Sequence, residues 1–565
     1  MLSKRMIDTR DDSSILSDDT FNENQNGTEQ EVKELVQGKE NFKGLKGDNV
    51  NSLSRTTTRE VRATPSESDL DTYTDAETPD KVSCETPYTL MTHGQKWFMV
   101  ALLTSGGFWS SLGSPIYYPA LKQLEQVFNI NEEMVNITVV VYFIFQGVAP
   151  TISGGLADVY GRRPVILAGM LIYVVASIGL ACSNSYGVIV FLRCVQSAGI
   201  SPLIAISSGV VGDFTTKSER GSFVGAVSGF ALMGQAFGSL IGAGLTAAYD
   251  WRAIFWFLTI GCGTCLIINF FLLPETKRTI TGNLSIKPKR MINRAPILAL
   301  PYFQRRLKYD NPDYDSLDHS EVKIDLISAL KIIAHPEIIM SLMPAGLQFA
   351  LWTLTLTSIS SQLAEAPYNY SLTIIGICYL PAGISGLIGS FCTGKVIDIY
   401  YKSALRKFQQ RQEQGLIAPD ARFNILKARL ITALPQNFVS VVAFTIFGWS
   451  VQKGWHIAVP LVTSGIGSFC AMSTLSTSST LLVDLYPSKS STATSCYNFI
   501  RCSLSAIFMA CFAKMKASMT VGGTFTFISG LVFIGNFVTL IPLNYGMEWR
   551  YKRALKAELK AMGKE

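Results

Sequence analysis

A few charged side chains lie between or within long apolar runs of the sequence, where charge is unusual. The segment from Gly154 to Arg163 joins two such runs and carries Asp158, Arg162 and Arg163. Charge of this kind is costly in hydrocarbon, so the segment is predicted to form a tight loop at a membrane face. Asp158 and Arg162 are four residues apart and can pair if the helix reaches them. Gly154 permits close helix contact, and Gly161 permits a sharp turn.

Arg193 is a second charged residue in an apolar setting, within Phe191-Leu192-Arg193-Cys194-Val195-Gln196-Ser197. An arginine at the centre of a membrane helix costs roughly 2.5–3.5 kcal/mol on insertion scales, so it is expected to face a polar partner or a hydrated cavity. The alternative is an arginine that extends its charge to the membrane interface.

Twelve apolar runs must position these residues, and each is about 20 residues long, enough to cross hydrocarbon. The chain of 565 residues is 48% hydrophobic and only 16% charged, whereas soluble domains carry about 25% charged residues. The sequence therefore predicts an all-α membrane protein with twelve transmembrane helices. The predicted helices are 97–117, 136–157, 164–183, 187–210, 223–247, 253–273, 337–361, 372–394, 430–451, 456–482, 493–513 and 522–545.

The charge of the connections predicts the orientation. The connection that begins at 277 is rich in lysine and arginine and has no acid up to 309, and the loop 399–429 is also basic. The first connection on the other side holds Glu125, Glu132 and Glu133 with only Lys122. The positive-inside rule then places the basic side and both termini in the cytoplasm. The net charge of +7 is explained by membrane orientation, and no nucleic-acid partner is expected.

The chain is predicted to have two helical halves and two tails. The polar segment 1–95 lacks apolar periodicity and is predicted to be a disordered cytoplasmic tail. It is followed by a six-helix bundle (96–276), a cytoplasmic central loop (277–336), a second six-helix bundle (337–547) and a cytoplasmic tail (548–565). A repeat favours two related halves, because Gly394 and Asp398 follow the eighth run as Gly154 and Asp158 follow the second. Related halves around a midplane cavity are a transporter arrangement.

No pattern of a catalytic or metal site is present in the sequence. The cysteines and histidines lack metal-ligand spacing, and no Gly-x-x-x-x-Gly-Lys-(Ser/Thr) phosphate loop occurs. We therefore expect no enzyme activity, no metal and no cofactor.

Three motifs together resemble those of a known family. The Gly154–Arg163 segment resembles the signature Gly-x-x-x-Asp-(Arg/Lys)-x-Gly-Arg-(Arg/Lys) of the major facilitator superfamily, with Val159 replacing a basic residue. The Arg193 segment resembles the Arg-x-x-Gln-Gly motif of its drug:proton antiporters, with Ser197 for the glycine. Gly234, Gly238 and Gly242 resemble the antiporter motif Gly-x-x-x-Gly-Pro-x-x-Gly-Gly, although Ser239 and Ala243 depart from it. Glycines at this spacing also allow a second helix to approach closely.

The chain is thereby identified as similar to the fungal twelve-spanner drug:proton antiporters of the quinidine and weak-acid resistance group. The resemblance implies two bundles around a central cavity and a plasma-membrane location, with endosomal or vesicular membranes as the alternative. It also implies export of short-chain monocarboxylic acids and amphipathic or cationic drugs, with amino acids as a further class, in exchange for protons. Arg193 would take part in proton coupling, and the Gly154–Arg163 segment would form a latch on the cytoplasmic face. A monomer in the lipid bilayer is expected.

The predicted cavity lining is aromatic and amide, because aromatic faces accept apolar drugs and hold cations over the ring. Two arginines would add an attractive field for a carboxylate anion. The predicted lining residues are Tyr117, Tyr142, Gln146, Gln348, Trp352, Asn498 and Arg501.

The proton carrier is the open question of this interpretation. The predicted helices one, two and four carry no internal acid, and Asp158, Asp213 and Asp398 are all predicted at helix ends. Either protons reach Asp213 or Asp158 by a wet route near Arg193, or coupling works by competition at the substrate site. An uncoupled facilitator or importer, and a transporter-like membrane sensor, are the alternative functions.

Overall fold

The computed structural model describes residues 88–299, 301, 312–314, 317, 328–417, 423–486 and 490–561, so most of the predicted tail 1–95 lies outside the described residues. The regular elements of the described part are helices, and they form twelve spans, numbered here in chain order. Spans 1 to 6 are His93–Leu112 (continued by Pro115–Ala120 and Leu121–Phe128), Glu132–Tyr160, Arg162–Ala181, Tyr186–Ile200 with Pro202–Phe214, Lys217–Ala248 and Trp251–Leu272. Spans 7 to 10 are Pro336–Leu363, Leu372–Cys378 with Leu380–Glu413, Ile425–Leu430 with Ala433–Gln452, and Ala458–Leu485.

Spans 11 and 12 share the long helical stretch Ser490–Ala561, which breaks at Thr520 (φ 65°, ψ 173°). Between spans 6 and 7 the described residues form the short helices Arg278–Thr281, Met291–Asn293, Pro296–Ala299 and Ser328–Ile333. The prediction of twelve helices is confirmed, with ends shifted by a few residues. Span 12 continues to Ala561 and so enters the range predicted as the C-terminal tail.

Local sequence explains where several spans begin, bend and end. Asn131 caps span 2 by accepting the Met134 N–H at 3.0 Å, as expected for an asparagine N-cap. Pro202 follows Ser201 and divides span 4, because proline supplies no N–H to the helix ladder. Gly161, at φ 106°, makes the turn between spans 2 and 3. Nine helical stretches of the described chain are long and apolar enough to cross a membrane, and Thr492–Lys556 contains spans 11 and 12. Spans 1 and 5 are not among them.

The spans pack as two sets that meet along two seams. One seam pairs span 2 with span 11, and the other pairs span 5 with span 8. At the first, a Cβ added to Gly147 would lie 3.3 Å from Cys502 Cβ. At the second, the backbones come so close that a Cβ on Gly383 would overlap Ala236 O. We refer to spans 1–6 as the first bundle and spans 7–12 as the second bundle.

The glycine face of span 5 lies against span 1, within the first bundle. A Cβ at Gly234 would lie 2.5 Å from Phe108 O, one at Gly238 would lie 2.9 Å from Pro115 Cβ, and one at Gly242 would overlap Ile116 O. The close approach predicted from the spacing is therefore present. Ser239, which stands where the antiporter motif has proline, donates its hydroxyl to Pro115 O at 3.0 Å. This departure from the motif adds a tie between the same two spans.

Candidate functional site

The Gly154–Arg163 segment forms part of a charge cluster at one membrane face, which we call the first charge cluster. Arg162 Nη2 lies 3.0 Å from Asp158 Oδ1, as predicted from their spacing. The same guanidinium reaches Asp213 at the end of span 4, with Nε 3.2 Å from Oδ2. Lys277, just after span 6, places Nζ 2.9 Å from Asp158 Oδ1. Three separate elements of the first bundle are thus held together by Arg162, whose side chain is only 7% exposed.

Glu275 completes the first charge cluster, and the sequence reasoning missed it. Its carboxylate accepts the Arg162 N–H at 2.9 Å and the Arg163 N–H at 3.2 Å, together with the Thr276 and Lys277 N–H groups, both at 3.0 Å. Burial raises the pKa of Glu275, and the four N–H donors lower it in part. A carboxylate at the start of span 3 satisfies N–H groups that a helix leaves without partners.

The Arg163 side chain ties span 6 and the chain after it to the start of span 3. It is 2% exposed. Its guanidinium donates to Leu273 O at 2.8 Å, to Phe270 O at 2.5 Å and to Ile292 O. Arg163 is therefore bonded to backbone carbonyls of span 6 and of the connection that follows it. Gly154, by contrast, has open space where a side chain would project, so the close contact predicted there does not occur.

The second bundle holds an equivalent arrangement, which we call the second charge cluster. Arg429 Nη1 lies 3.1 Å from Asp398 Oδ1, and its Nε lies 2.7 Å from Asp484 Oδ2 at the end of span 10. Asp398, predicted at a helix end, lies within span 8, because that helix continues to Glu413. Each cluster thus joins an arginine at the start of one span to acids on two other spans. The sequence repeat located Asp398 but not Arg429. Arg162 was predicted to pair because it lies four residues after Asp158, whereas Arg429 is far in sequence from both of its acids.

Both clusters lie at the same membrane face as the basic connections, so we call it the basic face. At the opposite face, ion pairs cross between the bundles. Lys122 Nζ lies 2.9 Å from Glu365, Lys516 Nζ lies 2.6 Å from Glu132, and a third pair joins Lys514 to Glu133 at 3.0 Å. Lys122, Glu132 and Glu365 also line a cavity of about 30 Å³. The bundles are therefore tied together at the opposite face.

Arg193 lies inside the first bundle and is fully buried. Its guanidinium carbon sits 4.1 Å from the ring centre of Tyr117 and 4.2 Å from that of Tyr142. Nη1 donates to Gln196 Oε1 at 2.9 Å and, more weakly, to Gly113 O at 3.4 Å. Nε and Nη2 have no partner among the described residues, and neither does Tyr142 Oη. We call this group the Arg193 site, and its burial disfavours an arginine extended to the interface.

The seven predicted lining residues fall into four places rather than one. Tyr117 and Tyr142 belong to the Arg193 site. Gln146, Asn498 and Arg501 meet at the seam of spans 2 and 11. There Asn498 Nδ2 donates to Gln146 O at 2.5 Å, and Arg501 Nε donates to Asn498 Oδ1 at 2.9 Å.

Gln348 and Trp352 lie one turn apart on span 7 but take part in different groups. Gln348 Nε2 donates to Asn437 Oδ1 at 2.7 Å, and Asn437 Nδ2 donates to Asn536 Oδ1 at 2.7 Å, inside the second bundle. Trp352 lines a cavity of about 10 Å³ at the seam of spans 5 and 8, with Gln235. The amide chain joins spans 7, 9 and 12, and sequence reasoning did not identify it.

Comparison with known proteins gives consistent matches over most of the chain. The family profile described as Major Facilitator Superfamily matches residues 101–510. The chain is 65% identical over 527 residues to "Probable transporter AQR1" of Saccharomyces cerevisiae, covering 92% of this chain and 89% of that protein. It is 66% identical over 513 residues to "Multidrug transporter AQR1" of Candida glabrata, covering 90% and 86%. "Quinidine resistance protein 1" of Saccharomyces cerevisiae is 43% identical over 497 residues, covering 85% and 88%.

A solved structure shares the fold. The partially occluded inward-open xylose transporter XylE from E. coli aligns with a TM-score of 0.55 at 13% sequence identity, covering 80% of this chain and 99% of that chain. At this identity the likeness concerns the fold alone.

Proposed function

The chain belongs to the Major Facilitator Superfamily, and from this premise we propose that it is a proton-coupled multidrug exporter of the plasma membrane. Its substrates would be short-chain monocarboxylic acids and amphipathic or cationic drugs, with amino acids as a further class. The names of its relatives, which include multidrug transporters and a quinidine resistance protein, support this choice.

The Arg193 site is the observation that carries the proposal. A guanidinium between two aromatic rings is stabilised by cation–π attraction, yet two of its nitrogens remain without partners in the described part of the chain. Because a buried unpaired donor is costly, these nitrogens favour an added acceptor such as a carboxylate. The flanking rings of Tyr117 and Tyr142 offer apolar surface to the rest of a small organic acid. A cationic drug would instead compete with Arg193 for the same rings.

The bundles would alternate between two arrangements around this site. Ion pairs cross between the bundles at the opposite face, whereas the named partners in each charge cluster lie within one bundle. This pattern supports a state closed at the opposite face. In the other state we propose that Asp158 and Arg162 remain paired while the end of span 2 and the start of span 3 dock on the second bundle. The basic face would be cytoplasmic, as the positive-inside rule requires.

Proton exchange would use Asp213, the acid of the first charge cluster on the same span as Arg193. Asp213 contacts Arg162, so a change in its protonation would weaken one arm of the cluster. Competition between substrate and proton at the Arg193 site is the alternative. The variant D213N distinguishes them, because it should uncouple efflux from the proton gradient only if Asp213 carries the proton.

The test is efflux of radiolabelled acetate or propionate from cells with and without the protein, before and after the proton gradient is dissipated. Protein-dependent efflux that stops with the gradient is expected, and it should be lost in Arg193→Gln at unchanged membrane abundance. Arg252→Gln is the matched control, because Arg252 also stacks on an aromatic ring, 4.4 Å from the centre of Trp251, but lies outside the proposed site. Efflux that persists without the gradient would identify a facilitator. Absence of transport for acids and cationic drugs alike would favour a sensor.

A further inference from the structure

The connection after span 6 presents an exposed surface that is both basic and apolar. Lys287, Lys289 and Arg290 are exposed, and the next two side chains, Met291 and Ile292, are 80% and 61% exposed. No acid occurs between 276 and 309 of the sequence. We call residues 287–294 the basic-apolar segment. Two large apolar side chains standing out among cations are unusual for a surface bathed only by water.

The backbone of this segment is anchored, so its apolar side chains are held outward by structure. Asn293 is 1% exposed and donates Nδ2 to Tyr160 O at 3.2 Å. Arg163 donates to Ile292 O, and Arg294 Nε donates to Pro288 O at 2.8 Å. The contacts attach the segment to the turn between spans 2 and 3, next to the first charge cluster.

The segment is continuous with the side of the protein that faces hydrocarbon. Tyr160, at the end of span 2, is 48% exposed, and Phe270 and Phe271, at the end of span 6, are 48% and 51% exposed. Arg290 lies over the Tyr160 ring, 5.6 Å from its centre. The cations therefore lie where the lipid-facing helix surfaces reach the basic face.

We propose that the basic-apolar segment binds anionic phospholipid of the leaflet at the basic face. Lys287, Lys289 and Arg290 would contact the headgroups, and Met291 and Ile292 would enter the boundary of the acyl chains. Basic residues beside exposed apolar ones are the composition of interfacial membrane-binding segments, and cations near an anionic leaflet are attracted to it. The proposal rests on the proposed cytoplasmic orientation of this face but not on the substrate or the coupling. Through Arg163 and Asn293, the bound lipid would also stabilise the turn that holds Asp158 and Arg162.

The test measures lipid binding by the purified full-length protein, titrated in detergent with phosphatidylserine or phosphatidylcholine and analysed by native mass spectrometry. We expect tighter binding of phosphatidylserine. Each cation near an anionic surface is worth roughly fivefold in affinity, and three together roughly a hundredfold. The variant K287Q/K289Q/R290Q should therefore bind phosphatidylserine roughly a hundredfold more weakly, and at least about tenfold if the three contributions are not additive. The charge-matched control K402Q/R406Q/K407Q alters three exposed cations on span 8 and should leave the preference unchanged.

Two further arms identify the occupant. M291S/I292S should also weaken phosphatidylserine binding, and excess inorganic phosphate should fail to displace the lipid, because acyl chains contribute. Displacement by phosphate would overturn the proposal in favour of a soluble anion. Equal binding by wild type and K287Q/K289Q/R290Q would also overturn it. A third outcome would also overturn the proposal: a preference for phosphatidylserine that is seen only after the acidic segment 1–87 has been deleted. That result would mean that this segment, and not lipid, occupies the surface in the full-length protein. Because the readout is binding, a failure of the proposed export does not affect it.

Discussion

Replacing Glu275 with alanine should lower the free energy of unfolding by more than is usual for a residue in a connection between helices. The change removes the acceptor of four N–H groups, two of which belong to the buried start of span 3. A buried donor left unsatisfied costs about 1–3 kcal/mol, so the two at span 3 together cost about 2–6 kcal/mol. Glu275→Gln keeps one acceptor oxygen and should lose only about 1 kcal/mol, the value of an ordinary hydrogen bond. The exposed Glu413→Ala is the control and should change nothing.

Thermal unfolding of the purified variants can be followed with a thiol-reactive dye. Cys182, Cys392 and Cys511 are exposed and set the baseline signal, and the signal rises on unfolding because Cys262, Cys496 and Cys502 are buried and react only then. The expected order of melting temperature is wild type equal to Glu413→Ala, then Glu275→Gln, then Glu275→Ala. Equal melting of Glu275→Ala and Glu413→Ala would refute the reasoning, since it would mean that the N–H groups of span 3 do not depend on this carboxylate.

The same comparison has a pH dependence with a definite sign. Burial raises the pKa of Glu275 above its ordinary value, so folding favours the protonated form. The stability that Glu275 adds relative to glutamine is therefore largest below about pH 4.3, the ordinary glutamate pKa, and falls as pH rises through the higher folded-state pKa. Melting curves of the two proteins from acidic to neutral pH should converge. Divergence on raising the pH would show that the N–H donors outweigh burial.

Three other substitutions test the packing and the ties between bundles. Gly242→Val should prevent span 5 from approaching Ile116 and so lower membrane abundance, whereas Gly244→Val, which has open space, should be tolerated; equal abundance would contradict the close contact. Asn437→Leu should cost about 0.6–1.7 kcal/mol in thermal stability, the range measured for polar contacts between membrane helices; an unchanged melting temperature would argue against the amide chain. Lys122→Glu should increase labelling of a cysteine introduced at the opposite face by a membrane-impermeant thiol reagent, and unchanged labelling would show that the Glu365 pair does not hold this face closed.

The helices and the acids that recur in the two halves could be predicted from the sequence, because both depend on local patterns. Run length located the spans, and the four-residue spacing of Asp158 and Arg162 predicted a pair that is present at 3.0 Å. Sequence reasoning did not reach Glu275, which meets Arg162 and Arg163 from more than 100 positions away. Contacts at that separation depend on how whole helices pack, which no short spacing records.

The surroundings of the predicted lining residues also depend on how the helices pack. Aromatic and amide side chains on an apolar helix can face a cavity, a seam or a bundle interior. Tyr117 and Tyr142 could be placed beside Arg193 only once spans 1, 2 and 4 were packed. Gln348 instead joins Asn437 within the second bundle, a destination that composition alone does not distinguish from a cavity. Which residues touch substrate stays a prediction.

The two kinds of ion pair also have a consequence for the energetics of the conformational change. The arginines of the charge clusters, each 7% exposed, would be expensive to separate from their acids, and a movement of whole bundles leaves them intact. In the proposed movement, the pairs that would break lie at the opposite face, where exposure ranges from 23% and 28% at Lys516 and Glu132 to 75% and 39% at Lys514 and Glu133. Exposed pairs are worth about 0–1 kcal/mol each and weaken with salt. The buried ion pairs that would cost most to break therefore stay intact during the proposed movement. Higher ionic strength at the opposite face should make that face open more readily.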